Sequence, residues 1–250
     1  MLDLSHQRVL ITGGSRGIGR ACARLFAQAG ADVALTYHTR KDEADRAVAE
    51  VEGLGRKALS FGGDLGDAAT VERLFEGLRE AWGTLDVAVV NHGIWPESDV
   101  PVKAMDDARW HGTIRANLDS LFYVTRMALR LMAPGGSVIL VASTAGQRGE
   151  AYHADYAATK GAVISFTKSL AGECAPDVRV NCVAPGWVDT EMSAAALRGP
   201  ARARIDRTIP MGRPATAEEI AGPILFLASP LAAQITGEIL NVNGGSVLCG

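Results

Sequence analysis

The sequence predicts an α/β fold of the doubly wound type, in which helices cover both faces of a parallel sheet. Three observations predict it. Short apolar runs alternate with amphipathic segments along all 250 residues, the runs are apolar throughout, and a glycine-rich turn follows the first of them. A run such as residues 87–90 (VAVV) suits a strand that is buried on both faces. Because we find no linker, low-complexity tract or internal repeat, we expect a single domain over residues 1–250.

The predicted strands and helices follow one another in regular order. The strands are expected at Val9–Ile11, Val33–Tyr37, Lys57–Phe61, Val87–Asn91, Val138–Ala142, Arg179–Ala184 and Ile239–Val242. The helices are expected at Gly17–Ala29, Asp42–Leu54, Ala68–Trp82, around Trp110–Met132 and at Asp155–Cys174. This alternation predicts a Rossmann-like sheet, whose ligands lie beyond the carboxyl ends of the strands.

Composition and charge exclude several classes of protein. The net charge is −3 and the basic residues are scattered, so we expect no nucleic-acid partner. We expect no signal peptide and no membrane span, and therefore a cytoplasmic protein. Because the cysteines are isolated from one another and from histidines, we expect no disulfide and no metal site; they are Cys22, Cys174, Cys182 and Cys249.

The first strand-to-helix turn, Thr12–Gly19, reads TGGSRGIG. Glycines permit a positive φ and a close approach to a pyrophosphate, and the start of the next helix offers free N–H groups. A glycine-rich turn by itself can also reflect tight packing. Its place after the first strand favours a phosphate cradle, with candidate ligands Gly13, Ser15, Arg16, Gly17, Ile18 and Gly19.

Tyr156 and Lys160 are spaced i, i+4, which places both on one face of a helix. An ammonium ~4 Å from a phenol favours the phenolate by about 4 kcal/mol at an effective dielectric of ~20. We therefore expect a Tyr156 pKa near neutrality and a phenol that exchanges a proton with a substrate oxygen. Ser143, at the end of a predicted strand, is positioned to hold the same oxygen. Taken alone, such a Tyr–Lys pair is more often solvated than functional.

Taken together, these residues resemble the short-chain dehydrogenase/reductase family over nearly the whole chain. TGGSRGIG resembles the family's cofactor turn, and Asn91-His92-Gly93 resembles its Asn-Ala-Gly, with histidine in place of the usual alanine. The catalytic tetrad of the family is matched by Asn117, Ser143, Tyr156 and Lys160. Further cofactor contacts implied by the resemblance are Asp64, Leu65, Asn91, Gly93, Tyr156, Lys160, Pro185, Gly186, Val188 and Thr190.

The resemblance implies a role for each member of the tetrad. Tyr156 is expected to donate the proton, and Ser143 to position the carbonyl oxygen. Lys160 is expected to lower the Tyr156 pKa and to bind the nicotinamide ribose. Asn117 is expected to distort its helix locally and to hold a water that links Lys160 to solvent.

The end of the second strand favours NADP(H) over NAD(H). No carboxylate precedes Asp42 there, whereas NAD enzymes place an acid on the ribose hydroxyls. Arg16, with Arg40 or Lys41, is available to neutralise a 2′-phosphate. Tyr37 and His38 complete the expected contacts, and NAD(H) stays a possible cofactor if the basic residues are merely solvated.

The substrate is less well defined by the sequence. Residues 190–214 have weak periodicity, which suits a mobile lid. Candidate pocket walls follow the strand ends and are Trp95, Gln147, His153, Trp187 and Met192. The overall pattern is most similar to 3-oxoacyl-thioester (beta-ketoacyl) reductases of the family.

Two features leave the substrate open. Residues 133–136 and 175–177 carry no basic side chain, so docking of an acidic acyl carrier protein is doubtful. A free ketone, sugar or cyclic alcohol is the alternative substrate, and a catalytically silent nucleotide-binding regulator is the rival function. The resemblance and the apolar faces of helix Asp155–Cys174 further predict a homotetramer.

Overall fold

The computed structural model describes residues 2–248, in which seven parallel strands form one sheet of order β3-β2-β1-β4-β5-β6-β7. The strands are β1 Arg8–Ile11, β2 Asp32–Tyr37, β3 Ala58–Gly62, β4 Leu85–Val90, β5 Met132–Val141, β6 Val178–Pro185 and β7 Ile239–Val242. The strand order reverses between β1 and β4, which opens a crevice at the carboxyl edge of the sheet. The predicted doubly wound α/β fold is therefore confirmed.

Helices cover both faces of this sheet. The α-helices are α1 Gly17–Gln28, α2 Lys41–Gly53, α3 Ala68–Trp82, α4 Asp107–Ile114, α5 Ser120–Leu131, α6 Thr144–Arg148, α7 Ala154–Cys174, α8 Ala194–Leu197, α9 Arg202–Arg207 and α10 Ala217–Ala228. A π-helical turn at Arg115–Asp119 joins α4 to α5. Short 3₁₀ turns occur at Val102–Ala104, Glu191–Ser193 and Pro230–Ala232.

Two apolar cores lie on opposite faces of the sheet. In β1, Val9 and Ile11 belong to the core shared with α1 and α10, whereas Leu10 belongs to the core shared with α3, α5 and α7. Successive strand residues point to opposite faces, so a strand buried on both sides is apolar at most positions. This explains why the strand sequences do not alternate.

Two departures of the structure from the sequence-based elements concern the long helix after β4 and helix α10. The predicted helix around Trp110–Met132 starts at Asp107, becomes π-helical at Arg115–Asp119 and ends at Leu131. Helix α10 was not predicted: its run IAGPILFLA is apolar on all sides and contains Pro223, which hides helical periodicity. A capping box between Thr216 and Glu219 starts α10, and its burial against α1 supplies the stabilisation that the local sequence lacks.

Residues 2–248 contain three of the four cysteines. Cys22 and Cys182 are buried free thiols and Cys174 is a half-buried one, whereas Cys249 lies outside the described residues. Every helix in that range is too short or too polar to cross a bilayer. Within the same residues, no three side chains of His, Cys, Asp or Glu lie together as a metal ion would require.

Candidate active site

A cleft of about 1270 Å³ runs along the carboxyl edge of the sheet, from the first glycine turn to residues of the 190–214 segment. It brings together nearly all the predicted site residues. Those that line it are Gly13, Ser15, Arg16, Gly17, Ile18, Tyr37, His38, Arg40, Asp64, Leu65, Asn91, Gly93, Trp95, Ser143, His153, Tyr156, Lys160, Pro185, Gly186, Trp187, Val188, Thr190 and Met192. Gly19, Asn117 and Gln147 lie outside its lining and contact other groups.

The glycine turn has the shape of a phosphate cradle. Gly13 and Gly17 have φ of +65° and +52°, a region that side chains disfavour. The turn packs closely on Gly19: a Cβ at that position would lie 2.2 Å from the Gly13 carbonyl oxygen. Arg16 is the N-cap residue of α1, and its side chain makes no capping hydrogen bond. The Arg16 side chain therefore does not occupy the first backbone N–H groups of the helix. The turn thus fits a pyrophosphate group.

The end of β4 is tied to the end of β1 beside this cradle. The Asn91 backbone N–H donates to Thr12 Oγ1 at 3.0 Å, and Asn91 Nδ2 donates to the Thr12 carbonyl at 3.1 Å. At Gly93, φ is +158° and a Cβ would lie 3.0 Å from Asn117 Oδ1. Glycine at this position lets the chain pass close to Asn117.

Ser143, Tyr156 and Lys160 meet beyond the end of β5. Ser143 follows the strand, and its Oγ accepts from the Ala145 N–H at 3.1 Å at the start of α6. Tyr156 and Lys160 both lie on α7 and are 8% and 5% exposed. The Lys160 ammonium donates to the Val141 carbonyl at 2.8 Å and lies 5.7 Å from the centre of the Tyr156 ring.

The prediction of a near-neutral Tyr156 is wrong for this structure. Burial raises the pKa of Tyr156 to about 12, although a hydrogen bond with Ser143 lowers it, and Glu150 adds to the rise. Burial also lowers the pKa of Lys160 to about 8. The expected lowering assumed an ammonium close to the phenol oxygen, whereas the ammonium here is held by the Val141 carbonyl. At neutral pH, the Tyr156 phenol is therefore protonated.

Asn117 lies in the π-helical turn, which confirms the predicted distortion of its helix. Its Oδ1 accepts from the Ile94 N–H at 2.7 Å, and its Nδ2 donates to the Ile94 carbonyl at 3.0 Å. These bonds fix the loop that follows β4. The water expected between Asn117 and Lys160 stays a prediction.

Basic residues at the other end of the cleft differ in how firmly they are paired. Arg16 pairs with Glu191 at 3.0 Å, across the cleft from the cradle to the start of the 190–214 segment. Lys41 pairs with Asp45 at 2.7 Å. Arg40 is the most loosely held of the three, with its Nη2 3.9 Å from Glu43.

Tyr37 ends β2 beside these residues, and its ring lies on Gly62. A Cβ on Gly62 would be 2.7 Å from the Tyr37 Cζ atom. His38 follows it in the cleft wall, and Asp64, also in that wall, pairs with Arg115 at 2.7 Å. The residues that end and follow β2 are not acidic, as the sequence predicted; they are Tyr37, His38 and Thr39.

Aromatic side chains surround the Tyr156 ring at the substrate end. The Trp95 ring stacks on His153 with a centroid distance of 4.0 Å and meets Tyr156 edge-on at 4.7 Å. Trp187 lies 6.3 Å from Trp95, tilted by 65°. Gln147 does not join this group, because its Nε2 donates to Asn241 Oδ1 at 2.6 Å. Its predicted place in the pocket wall is therefore not supported.

The 190–214 segment forms short helices around a small apolar core of its own. This core contains Leu197, Ile205 and Ile209, with Trp187 packed against it. Met192 is 49% exposed and lines the cleft. The position over the site agrees with the predicted lid, and its motion stays a prediction.

Sequence reasoning missed the ion pair between Arg109 and Asp155. Arg109 Nε donates to Asp155 Oδ2 at 3.1 Å, and its Nη atoms donate to the carbonyls of Ser98 at 2.7 Å and Tyr152 at 3.3 Å. The pair thus joins α4 to the residue before Tyr156 and to two loops at the substrate end. No spacing in the sequence relates Arg109 to Asp155. The one indication in the sequence was a carboxylate directly before Tyr156, in a helix with apolar faces.

Comparison with known proteins agrees with this geometry. A family model described as Enoyl-(Acyl carrier protein) reductase matches residues 13–246. The chain belongs to the short-chain dehydrogenase/reductase family, as its residues suggested.

Individual relatives cover the whole chain. The 3-oxoacyl-[acyl-carrier-protein] reductase FabG of Escherichia coli K12 is 40% identical over 247 residues, which is 98% of each chain. A short-chain dehydrogenase/reductase from Brucella melitensis, described as SDR:Glucose/ribitol dehydrogenase, has a TM-score of 0.92 and 36% identity, with 99% of each chain covered. A short chain dehydrogenase from Burkholderia cenocepacia, solved in complex with NADP, has a TM-score of 0.92 and 32% identity over 97% of this chain and 98% of that one.

Proposed function

We propose that this protein is an NADP(H)-dependent oxidoreductase that interconverts a ketone and a secondary alcohol, with Tyr156 as the general acid and base. The observation that carries the proposal is the placement of a buried Tyr156 together with Ser143 and Lys160 in a cleft that begins at a phosphate cradle. A bound nicotinamide supplies the hydride. A carbonyl oxygen that gains charge is stabilised by a positioned hydroxyl and protonated by a phenol.

Lys160 has two roles in this proposal. In this structure its ammonium is held by the Val141 carbonyl, 5.7 Å from the centre of the Tyr156 ring. In the proposed reaction the ammonium turns from that carbonyl toward the phenol oxygen and stabilises negative charge as the phenol gives up its proton. The same ammonium is proposed to donate to the nicotinamide ribose. Asn117 fixes the neighbouring loop through Ile94, which keeps the wall around Lys160 in place.

NADP(H) is the proposed cofactor for reasons of charge. The end of β2 offers Tyr37 in place of a carboxylate, and Arg40, which is 47% exposed, is loosely paired. Arg16 can exchange Glu191 for a phosphate, because both side chains are more than half exposed. The NADP complex of the Burkholderia relative supports this assignment.

A 3-oxoacyl thioester is the first candidate substrate, supported by the 40% identical Escherichia coli reductase. A free ketone or cyclic alcohol is the second, favoured by the substrate end itself. Three carboxylates line the cleft there, those of Glu97, Asp99 and Glu150. The guanidinium groups of Arg148 and Arg204 belong to the same lining, and Arg148 is paired with Glu150 at 3.0 Å. Such carboxylates oppose an acidic carrier protein and its phosphate-bearing arm.

The homotetramer and the cytoplasmic location remain predictions. Exposed aromatic side chains are consistent with an oligomer, since Trp110 and Phe122 of α4 and α5 are 39% and 41% exposed. Light scattering at micromolar concentration should give four times the 26.3 kDa of one chain.

The function is tested by following nicotinamide absorbance with NADPH or NADH and three ketones. Acetoacetyl-CoA represents the thioester, ethyl acetoacetate is the matched 3-oxo ester without the phosphate-bearing arm, and 1-tetralone represents a free cyclic ketone. We expect turnover with NADPH that Tyr156→Phe abolishes. Turnover of every ketone at the level of Tyr156→Phe would contradict the enzyme proposal.

A charge reversal separates the two substrate candidates. Glu97→Lys should raise kcat/KM for acetoacetyl-CoA more than for ethyl acetoacetate, and added salt should reduce that gain. Efficient use of acetoacetyl-CoA by the wild type, with no effect of Glu97→Lys, would favour the thioester.

A further inference from the structure

The side chain of His92 lies between two parts of the site whose relative position matters for the proposed mechanism. Its Nδ1 lies 2.7 Å from Thr12 Oγ1, at the start of the phosphate cradle. Its Nε2 lies 2.7 Å from Ser120 Oγ, where the π-helical turn passes into α5. We infer that His92 is a positioning residue that holds the cofactor turn and the π-helical turn of Asn117 at a fixed separation; this inference rests on the proposed function.

The hydrogen bonds around the ring define one tautomer. Ser120 Oγ donates its proton to the Ala116 carbonyl at 2.8 Å, so it can only accept from His92. Nε2 therefore carries the hydrogen, and Nδ1 accepts from the Thr12 hydroxyl. The alternative acceptor for that hydroxyl, the Val89 carbonyl, lies farther away at 3.4 Å.

The resulting chain of donors runs in one direction through groups that are buried or half-buried. The Asn91 N–H donates to Thr12, Thr12 to His92, His92 to Ser120, and Ser120 to the Ala116 carbonyl. Thr12 is 0% and Ser120 1% exposed, so each has a buried hydroxyl that loses a partner when the imidazole is removed. Burial lowers the pKa of His92 to about 3, and nearby Lys160 contributes, so the ring stays neutral with one donor and one acceptor.

The position of this chain explains what it controls. Ala116 belongs to the π-helical turn and precedes Asn117, whose amide fixes the loop after β4. Thr12 precedes Gly13, the first glycine of the cradle. An alanine at position 92, the residue usual in the family motif, has no group that could make either bond.

The test compares three variants with wild type. His92→Ala removes both bonds, Ser120→Ala removes only the bond on the π-helical side, and His92→Gln retains a donor and an acceptor. His111→Ala is the matched control, since His111 is exposed on α4 outside this network. The measurements are kcat, the NADPH dissociation constant from fluorescence titration, and amide hydrogen exchange over residues 115–121.

We expect Ser120→Ala to lower kcat about 10-fold while NADPH affinity stays within about twofold. His92→Ala should lower kcat on the order of 10- to 100-fold, weaken NADPH binding and speed amide exchange in the π-helical turn. The double variant of His92→Ala and Ser120→Ala should have the same kcat as His92→Ala alone, because both substitutions break the same chain of hydrogen bonds. His92→Gln should recover part of the loss, and His111→Ala should match the wild type.

Three results would overturn the inference. The first is that His92→Ala and Ser120→Ala have additive effects on kcat. The second is that His92→Ala leaves amide exchange and NADPH affinity unchanged. The third is that His92→Gln lowers kcat as much as His92→Ala does. If His92→Ala fails to fold, Ser120→Ala and His92→Gln still decide. If the wild type reduces no ketone, the proposed function fails, whereas NADPH affinity and exchange still test the role of His92.

Discussion

Replacing Arg109 by methionine should destabilise the protein strongly, because it leaves a buried charge without its partner. The Asp155 side chain is 0% exposed, and its Oδ2 accepts from Arg109 at 3.1 Å and from the Thr113 hydroxyl at 2.8 Å. Removing one member of such a pair costs about 3–5 kcal/mol in the free energy of unfolding. For a chain of this size, that corresponds to a fall in Tm of roughly 6–20 °C.

The loss should depend on pH in a defined direction. Burial raises the pKa of Asp155, but hydrogen bonds from Arg109 and Thr113 outweigh burial and hold it below the ordinary value. In wild type, this carboxylate therefore stabilises the fold above about pH 4, and the contribution is lost as pH falls further. In Arg109→Met, burial should raise the folded pKa instead, so the penalty is largest at neutral pH and shrinks on acidification.

Urea unfolding followed by circular dichroism at pH 7 and pH 5 measures both effects. Arg130→Met, at an exposed position of α5, is the control and should change stability by less than about 0.5 kcal/mol. Adding Asp155→Asn to Arg109→Met should recover part of the loss at pH 7. A loss below about 1 kcal/mol, or an equal loss at both pH values, would refute the argument from the buried charge.

Three further outcomes are expected. Tyr156→Phe should lower kcat at least about 100-fold and leave the NADPH dissociation constant within about twofold, whereas Lys160→Ala should impair both; equal NADPH affinities in the two variants would contradict the double role of Lys160. Tyr37→Asp places a carboxylate ~5 Å from a 2′-phosphate, worth about 3 kcal/mol at a dielectric of ~20, so the kcat/KM ratio should move toward NADH by roughly two decades, less in salt. An unmoved ratio would show that Tyr37 does not face the 2′ position. Glu191→Gln should tighten NADPH binding up to about fivefold by releasing Arg16, and Arg16→Ala should weaken NADPH more than NADH; fluorescence titration that finds no change in either variant would exclude Arg16 as a phosphate ligand.

The sequence by itself determined the features that depend on neighbours along the chain. Continuous apolar runs identified the parallel strands, because a strand covered on both faces needs an apolar residue at most positions. The glycine turn identified the cradle, since the φ values of Gly13 and Gly17 are local requirements of the backbone. The spacing of Tyr156 and Lys160 placed both on one helix, as observed.

Only the tertiary structure decided the features that depend on residues far apart in the sequence. The Tyr156 pKa follows from burial and from the direction of the Lys160 ammonium, and helical spacing defines neither. Gln147 follows a strand end as Ser143 does, yet it binds Asn241 on a distant strand.

The His92 bridge shows the physical reason most clearly. The residue was visible in the sequence as a departure from the family motif, but its two partners are Thr12, which directly follows β1, and Ser120, the first residue of α5. Whether an imidazole finds a hydroxyl on each side depends on the separation of β1, β4 and α5 to within a fraction of an ångström. That separation is set by how the helices pack on the sheet, a property of the whole chain that no local pattern encodes.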